Sequence, residues 1–244
     1  MEYLGEWIGV AYAGRFLVAL AFVSALVATG AFWKGNVHLG RRAYLTHAGS
    51  TLGVIALIFV LFFGHRYEFQ YIWKHLNNEM PMRFVLSAFW GGQEGGFLLW
   101  MFWHNVLALF ILNRADDWQR EVMTVLSSIQ AFLGVMLLGI YFGDFQLGLD
   151  PFLLLREAPN NIGLPWTARA DYLTAIPQFT DGQGLNPLLQ NYWMTIHPPT
   201  LFLGFAACSI PFAYAVGALW RLSLIHISEP TRQEAISYAV FCLK

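Results

Sequence analysis

Apolar positions in this chain gather in long unbroken runs, with polar residues confined to the stretches between them. Five windows, residues 16–33, 48–64, 95–113, 122–142 and 199–220, contain no Asp, Glu, Lys or Arg. Each approaches or exceeds the ~20 residues that cross a hydrocarbon core as a helix. A charged side chain at the centre of such a helix costs roughly 2.5–3.5 kcal/mol, so five runs free of charge form a pattern with a physical reason. The pattern predicts an all-α, polytopic helical membrane protein with about five transmembrane helices. Buried helices of a soluble domain are the competing explanation, and five such runs in 244 residues argue against it.

The expected organisation is a four-helix membrane region over residues 1–142 (helices near 16–33, 48–64, 95–113 and 122–142), a loop over 143–198, and a fifth helix over 199–221. Orientation follows from basic residues beside the helix ends. Lys34, Arg41 and Arg42 occupy the first loop without an acid, Arg114 and Arg120 the third, and Arg221 follows the last helix. The second loop mixes Arg66, Lys74 and Arg83 with Glu68 and Glu79, and the long fourth loop has only Arg156 and Arg169. The first and third loops are therefore expected in the cytoplasm, and the N-terminus with the second and fourth loops outside it. Arg15 falls at the outer lip of the first helix, where a long side chain can snorkel to the interface.

The fourth loop carries Pro151, Pro159, Pro165, Pro177, Pro187, Pro198 and Pro199, which is turn chemistry. Trp166, Tyr172, Phe179, Tyr192 and Trp193 supply enough apolar surface to order it. It is expected to be an extracytoplasmic cap with short helices near 168–175 and 187–195.

Composition narrows the classes. The chain is 57% hydrophobic and only 12% charged, about half the charge a water-soluble surface needs. A formal net charge of −1 gives no field for nucleic acid. Cys208 and Cys242 lie far apart and adjoin no metal-ligand spacing. The first dozen residues hold Glu2 and Glu6 and no basic stretch, unlike a cleavable signal peptide.

Residues 222–244 break the pattern. They read LSLIHISEPTR, then Gln233, Glu234 and Ala235, then ISYAVFCLK. Two fixed flanks around a variable triplet resemble a translated sequencing-library adapter. On that reading His226 and Cys242 carry no biological meaning, the natural protein continues differently after Arg221, and the fragment by itself is inactive.

Two motifs carry candidate chemistry. The first, WGGQEGGFLLW from Trp90 to Trp100, opens the third helix on its outer side. Its glycines allow close backbone approach, and Glu94 sits where the helix macrodipole favours an acid. Capping and helix packing explain Glu94 as well as a polar ligand cavity beside Trp90 and Trp100 does. His104 lies one turn beyond Trp100 on the same face, as a functional candidate or as a neutral histidine bonded to a neighbouring helix. Interfacial placement accounts for His47 and His65, and His38 and His75 are loop residues. The second motif, GLNPLLQNYWMTIHPPTLFLGF, places His197 before Pro198 and Pro199. Proline disfavours the α conformation in the residue before it, so His197 is expected extended at the mouth of the fifth helix, with Pro199 its first helical residue. Tyr192 and Trp193 could stack on a flat apolar ligand, and imidazole is a common haem iron ligand. A helix-capping histidine is the alternative.

These two motifs, with their order and spacing, resemble the cytochrome c assembly family over about residues 10–221, on its haem lyase side. The resemblance implies haem as cofactor, apocytochrome c and other cytochrome c maturation membrane subunits as partners, and the bacterial inner membrane with a periplasmic working face. It implies that haem is received, held and attached through its vinyl groups to the two thiols of a CxxCH motif. It carries His197 over as one axial ligand of the haem iron, beside Trp193, Trp90, Glu94 and Trp100 as haem-site residues. A second iron ligand, a tryptophan-rich haem cradle and histidines for a membrane haem b match nothing within these residues. Two other classes compete: a transporter, against which the lack of charged midplane residues counts, and a quinone-linked respiratory subunit using His104.

Overall fold

The computed structural model describes residues 3–143 and 145–221. Its helices are α1 (Ile8–Trp33), α2 (Val37–Phe63), α3 (Gln70–His75), α4 (Met82–Ala88), α5 (Gln93–Leu112), α6 (Gln119–Val135), α7 (Tyr172–Ala175) and α8 (Tyr192–Trp220). A small antiparallel hairpin, β1 (Ile140–Phe142) with β2 (Phe145–Leu147), pairs Tyr141 with Gln146. The protein is an all-α, multi-pass membrane protein. α1, α2, α5 and α8 are long and apolar enough to cross a bilayer.

α2 starts well before the expected window at 48. Arg41 and Arg42, placed by the sequence in the first loop, lie within α2, because a cation at a membrane boundary does not end a helix when its head finds acceptors. Arg41 donates to the Leu112 carbonyl at 2.7 Å and to Asn113 Oδ1 at 3.0 Å, at the C-terminus of α5, where helix carbonyls lack partners. The α1–α2 turn is short because Gly35 takes a left-handed φ of +79° and Asn36 caps α2 by accepting from Leu39 N–H at 3.1 Å.

The fourth expected window, 122–142, corrects in the other direction. α6 stops at Val135 after 17 residues. Leu138 to Phe142, which continue the apolar run, leave the helix and enter the hairpin. Two glycines make this possible: Gly139 has φ +57°, and Gly148, φ +73°, packs its backbone so tightly on the helix end that a Cβ would lie 2.3 Å from the Val135 carbonyl. The Leu149 N–H then donates to Met136 O at 2.8 Å. Hydrophobicity alone does not distinguish these continuations.

α1 and α2 pack along their lengths, with α6 against α1 and with α5 and α8 completing the bundle. The core runs from Val18, Val54 and Ile58 through Leu98 and Met101 to Leu133, with a second cluster around Phe32, Tyr44 and Met123. The long loop is ordered on top of it. Leu155, Tyr172 and Phe179 are buried there beneath Trp166, and the loop is tied to the helix tops by ions. Arg15 pairs with Asp150 at 2.7 Å and Glu157 at 2.6 Å, and Arg156 pairs with Glu6 at 2.9 Å. Arg15 therefore serves as a clamp between α1 and the cap. Short turns at Pro165–Ala168 and Pro187–Leu189 flank α7. Residues 222–244, read from sequence as adapter-derived, lie outside the described residues.

Candidate functional site

α8 begins at Tyr192, seven residues before the Pro199 start that the sequence predicts. Asn191 caps it, accepting from Met194 N–H at 3.2 Å, and the helix runs through Pro198, Pro199 and Pro211. His197 is thus helical, in the second turn, and not extended; Pro199 is not the first helical residue. The preference that proline imposes on its predecessor is real but costs less than the capped turn and the packing of α8 on α4 and α5 return.

The prolines leave a chemical trace. A proline at 198 has no N–H for the carbonyl of residue 194, four positions back. The indole Nε1–H of Trp90 fills that place, donating to Met194 O at 2.7 Å. Two motifs about a hundred residues apart are joined at one hydrogen bond, one turn from His197.

His197 is exposed, and its ring faces a shallow groove of about 310 Å³ lined by Leu189, Asn191, Trp193, Met194 and Pro198. The lining is mostly apolar, and Trp193, 71% exposed, stands beside the imidazole with Tyr192 edge-on to it at 5.8 Å. Among the described residues the His197 ring makes no hydrogen bond, so a ring nitrogen is free to act as a ligand. Among the described residues that line the groove, His197 is the one histidine. His197 gives the groove one exposed imidazole, and Trp193, Met194 and Pro198 form an apolar wall beside it.

The other expected site residues divide. Trp90 reaches the groove indirectly, through Met194. Trp100 lies deeper on α5, with its ring 6.0 Å from Phe202 and 5.7 Å from Phe205 of α8, so it fixes the α5–α8 contact. Glu94 does not line the groove; its electrostatic neighbours are Lys74, Tyr71 and Asp150, on the cap side of α5. The glycines around it serve packing. A Cβ on Gly92 would meet the His75 ring at 2.7 Å, and one on Gly95 would fall 1.5 Å from the Phe89 carbonyl. His104 packs at 6.2 Å from Trp100 and lies 3.3 Å from the Ser209 hydroxyl, the neutral pairing to a neighbouring helix.

Sequence reasoning missed Tyr71 and His75, the α3 pair that holds the start of α5. The Tyr71 hydroxyl donates to the Phe89 carbonyl and accepts from Gly95 N–H. His75 Nδ1 donates to the Tyr71 carbonyl at 2.8 Å. Burial holds the His75 imidazole below its ordinary value; the bond to Tyr71 opposes this and nearby Lys74 adds to it. Burial raises the Glu68 carboxyl, against the pull of Arg66 at 2.8 Å, and raises Asp150 in the same way against Arg15.

The fold and this site define a class: helical membrane proteins with a histidine-bearing helix mouth under an ordered cap. The chain belongs to the cytochrome c assembly protein family, whose model matches residues 90–238, a range that opens at Trp90 and runs past Arg221. It is 30% identical over 219 residues to the cytochrome c-type biogenesis protein CcmF of Haemophilus influenzae, covering 86% of this chain and 30% of that protein. It is 28% identical over 214 residues to the CcmF of Pseudomonas fluorescens, covering 84% and 28%. A solved structure of the cytochrome c haem lyase CcmF shares the fold with a TM-score of 0.62 at 21% identity, over 91% of this chain and 32% of that one. The chain spans about 30% of the length of the relatives it matches.

Proposed function

We propose that this chain forms the haem-facing N-terminal part of a cytochrome c maturation protein, which binds haem and presents it for attachment to apocytochrome c. Partners would be haem, apocytochrome c and other maturation membrane subunits. The observation that carries this is the free, exposed His197 imidazole beside Trp193 in an apolar groove, in a family whose relatives are named for cytochrome c biogenesis.

The location proposed is the inner membrane, with the groove on the periplasmic side. Lys34, Arg41, Arg114, Arg120 and Arg221 all gather at the end of the bundle away from the cap. There Arg120 donates to Trp33 O at 2.9 Å and Arg221 pairs with Glu121 at 2.8 Å. That end suits the cytoplasm by the positive-inside rule, which leaves the cap and His197 outside.

When bound, haem supplies the reactive vinyl groups and the iron. This chain's residues position. His197 would hold the iron on one side, Trp193, Met194 and Pro198 would exclude water from one porphyrin face, and Trp90 would keep the His197 turn in place by filling the Met194 carbonyl. Such orientation is the protein's route to a near-attack geometry.

The test uses the full-length protein purified in detergent. His197→Ala is expected to shift the haem spectrum and lower holocytochrome c yield at least tenfold, with thermal stability unchanged because the side chain is exposed. An unaltered spectrum and yield would remove His197 from the site.

A further inference from the structure

A groove of about 430 Å³ opens on the flank of the bundle, at the end away from the cap. α6 forms its floor through Thr124 and Ser128, while Thr29 with Trp33 of α1 and Val216 with Trp220 of α8 form its walls. The members of each pair are four residues apart, so each pair lies on one face of its helix. The hydroxyls ask nothing of an occupant. Thr124 donates to the Arg120 carbonyl at 2.7 Å, Ser128 to the Val125 carbonyl at 2.7 Å and Thr29 to the Ala25 carbonyl at 2.9 Å. With their protons committed to the backbone, they leave a groove that suits a hydrocarbon chain.

Each of the three faces turns to phenylalanine farther from this end. Phe22 lies seven residues before Thr29, Phe132 four after Ser128 and Phe212 four before Val216, all at helical repeats of the same face. Phe22 packs on Gly134 of α6, where an added Cβ would meet its ring at 3.4 Å. From Trp33 to Phe22 the helix rises about 16 Å, roughly half of a ~30 Å hydrocarbon core. The groove is therefore as deep as one leaflet. A further transmembrane helix would have to cross the phenylalanines, whereas an acyl chain ends before them.

The mouth carries the charge. Trp33 and Trp220 are exposed there, as tryptophans at a membrane–water interface are. Arg120 bridges the two walls: its Nη2 donates to the Trp33 carbonyl at 2.9 Å, and its guanidinium carbon stands 5.5 Å from the centre of the Trp220 ring. Its Nε would lie 3.8 Å from a Cβ on Gly35, so Arg120 rests against the turn that holds the exposed Lys34. Arg221, at the same end, is paired with Glu121 at 2.8 Å, but among the described residues no carboxylate pairs with Arg120 or Lys34.

We propose that this groove binds one anionic phospholipid of the adjoining leaflet, with an acyl chain laid on α6 between α1 and α8 and the phosphate between Arg120 and Lys34. A phosphodiester presents its free oxygens to both cations, and guanidinium–phosphate hydrogen bonds are charge-assisted. The lipid fills the space that α6 leaves open between the two walls. It thereby supports α8, the least buried of the four long apolar helices, from the end opposite His197.

The experiment is native mass spectrometry of the full-length protein, titrated with phosphatidylglycerol or phosphatidylcholine of identical acyl chains. The wild type is expected to hold one phosphatidylglycerol with a preference of roughly tenfold over phosphatidylcholine, the effect of two cations beside one anionic headgroup. Arg120→Gln combined with Lys34→Gln should bring the preference to parity. Ser128→Phe, which fills the groove, should lose the bound lipid whatever its headgroup. No preference in the wild type, an unchanged preference in the double variant, or full retention by Ser128→Phe would overturn the proposal. If a variant fails to fold, a cryo-EM map of the wild type in phosphatidylglycerol nanodiscs decides. Acyl-chain density on Thr124 and Ser128 supports the site, and a protein helix there, or a groove without ordered lipid, overturns it. Haem binding at His197 is read from the haem spectrum and enters neither result.

Discussion

The α1–α2–α5 part of the bundle and α8 are built from comparably apolar sequence and treat their side chains in opposite ways. Within their most apolar stretches α1, α2 and α5 are 39%, 44% and 50% buried, whereas α8 is 22% buried. The bundle hides its polar groups: His47, Gln130 and Asn105 are enclosed. α8 displays His197, Trp193 and Tyr192. The difference shows that hydrophobicity places a helix in the membrane, while packing decides whether its side chains build the scaffold or remain available to a ligand.

The sharpest way to break this comparison is a methyl group. Gly95→Ala in α5 forces a Cβ to 1.5 Å from the Phe89 carbonyl, whereas Gly204 on α8 has nothing within 4 Å of a built Cβ. Gly95→Ala is expected to cost more than roughly 3 kcal/mol and to abolish folded protein in detergent, while Gly204→Ala leaves melting unchanged. Comparable melting of both variants would show that α8 is packed as closely as the bundle.

A smaller effect tests the joint between the regions. Trp90→Phe leaves the Met194 carbonyl unpaired and should cost about 1–3 kcal/mol. In a Pro198→Ala background a backbone N–H returns to that carbonyl, so the cost of Trp90→Phe should shrink. Additive costs in the double-mutant cycle would mean that the indole bond and the proline are unrelated.

The smallest effect concerns the start of α5. His75 has its imidazole value depressed in the folded protein, so below the unfolded value near 6.5 the unfolded state binds more protons. The stability this contributes is complete above that value and is lost as pH falls from it towards the folded value. Thermal melts at pH 8 and pH 5.5 should show a drop in the wild type that is reduced in His75→Asn; identical pH dependence would remove His75 as its source.

Much of the architecture was legible, because the bilayer penalises charge so heavily that spans announce themselves as runs. The boundaries were not. Arg41 sits inside α2 because it reaches the end of α5, and the apolar residues 138–142 leave α6 because Gly139 and Gly148 let the chain fold over the helix end. Of the site residues, His197 and Trp193 share a groove, Trp90 reaches it through a bond no local rule predicts, and Glu94 points elsewhere.

The sequence by itself determined that this protein is a multi-pass helical membrane protein, and its two motifs determined its family, since both depend on residue type along the chain. Tertiary structure decided that His197 is helical and exposed, that His47 is enclosed, and that Trp90 meets the Met194 carbonyl that Pro198 leaves without a helical donor. Each of those outcomes depends on which donor meets which acceptor across helices far apart in sequence. Hydrogen-bond pairing of that kind is a property of three-dimensional neighbours and has no one-dimensional signature.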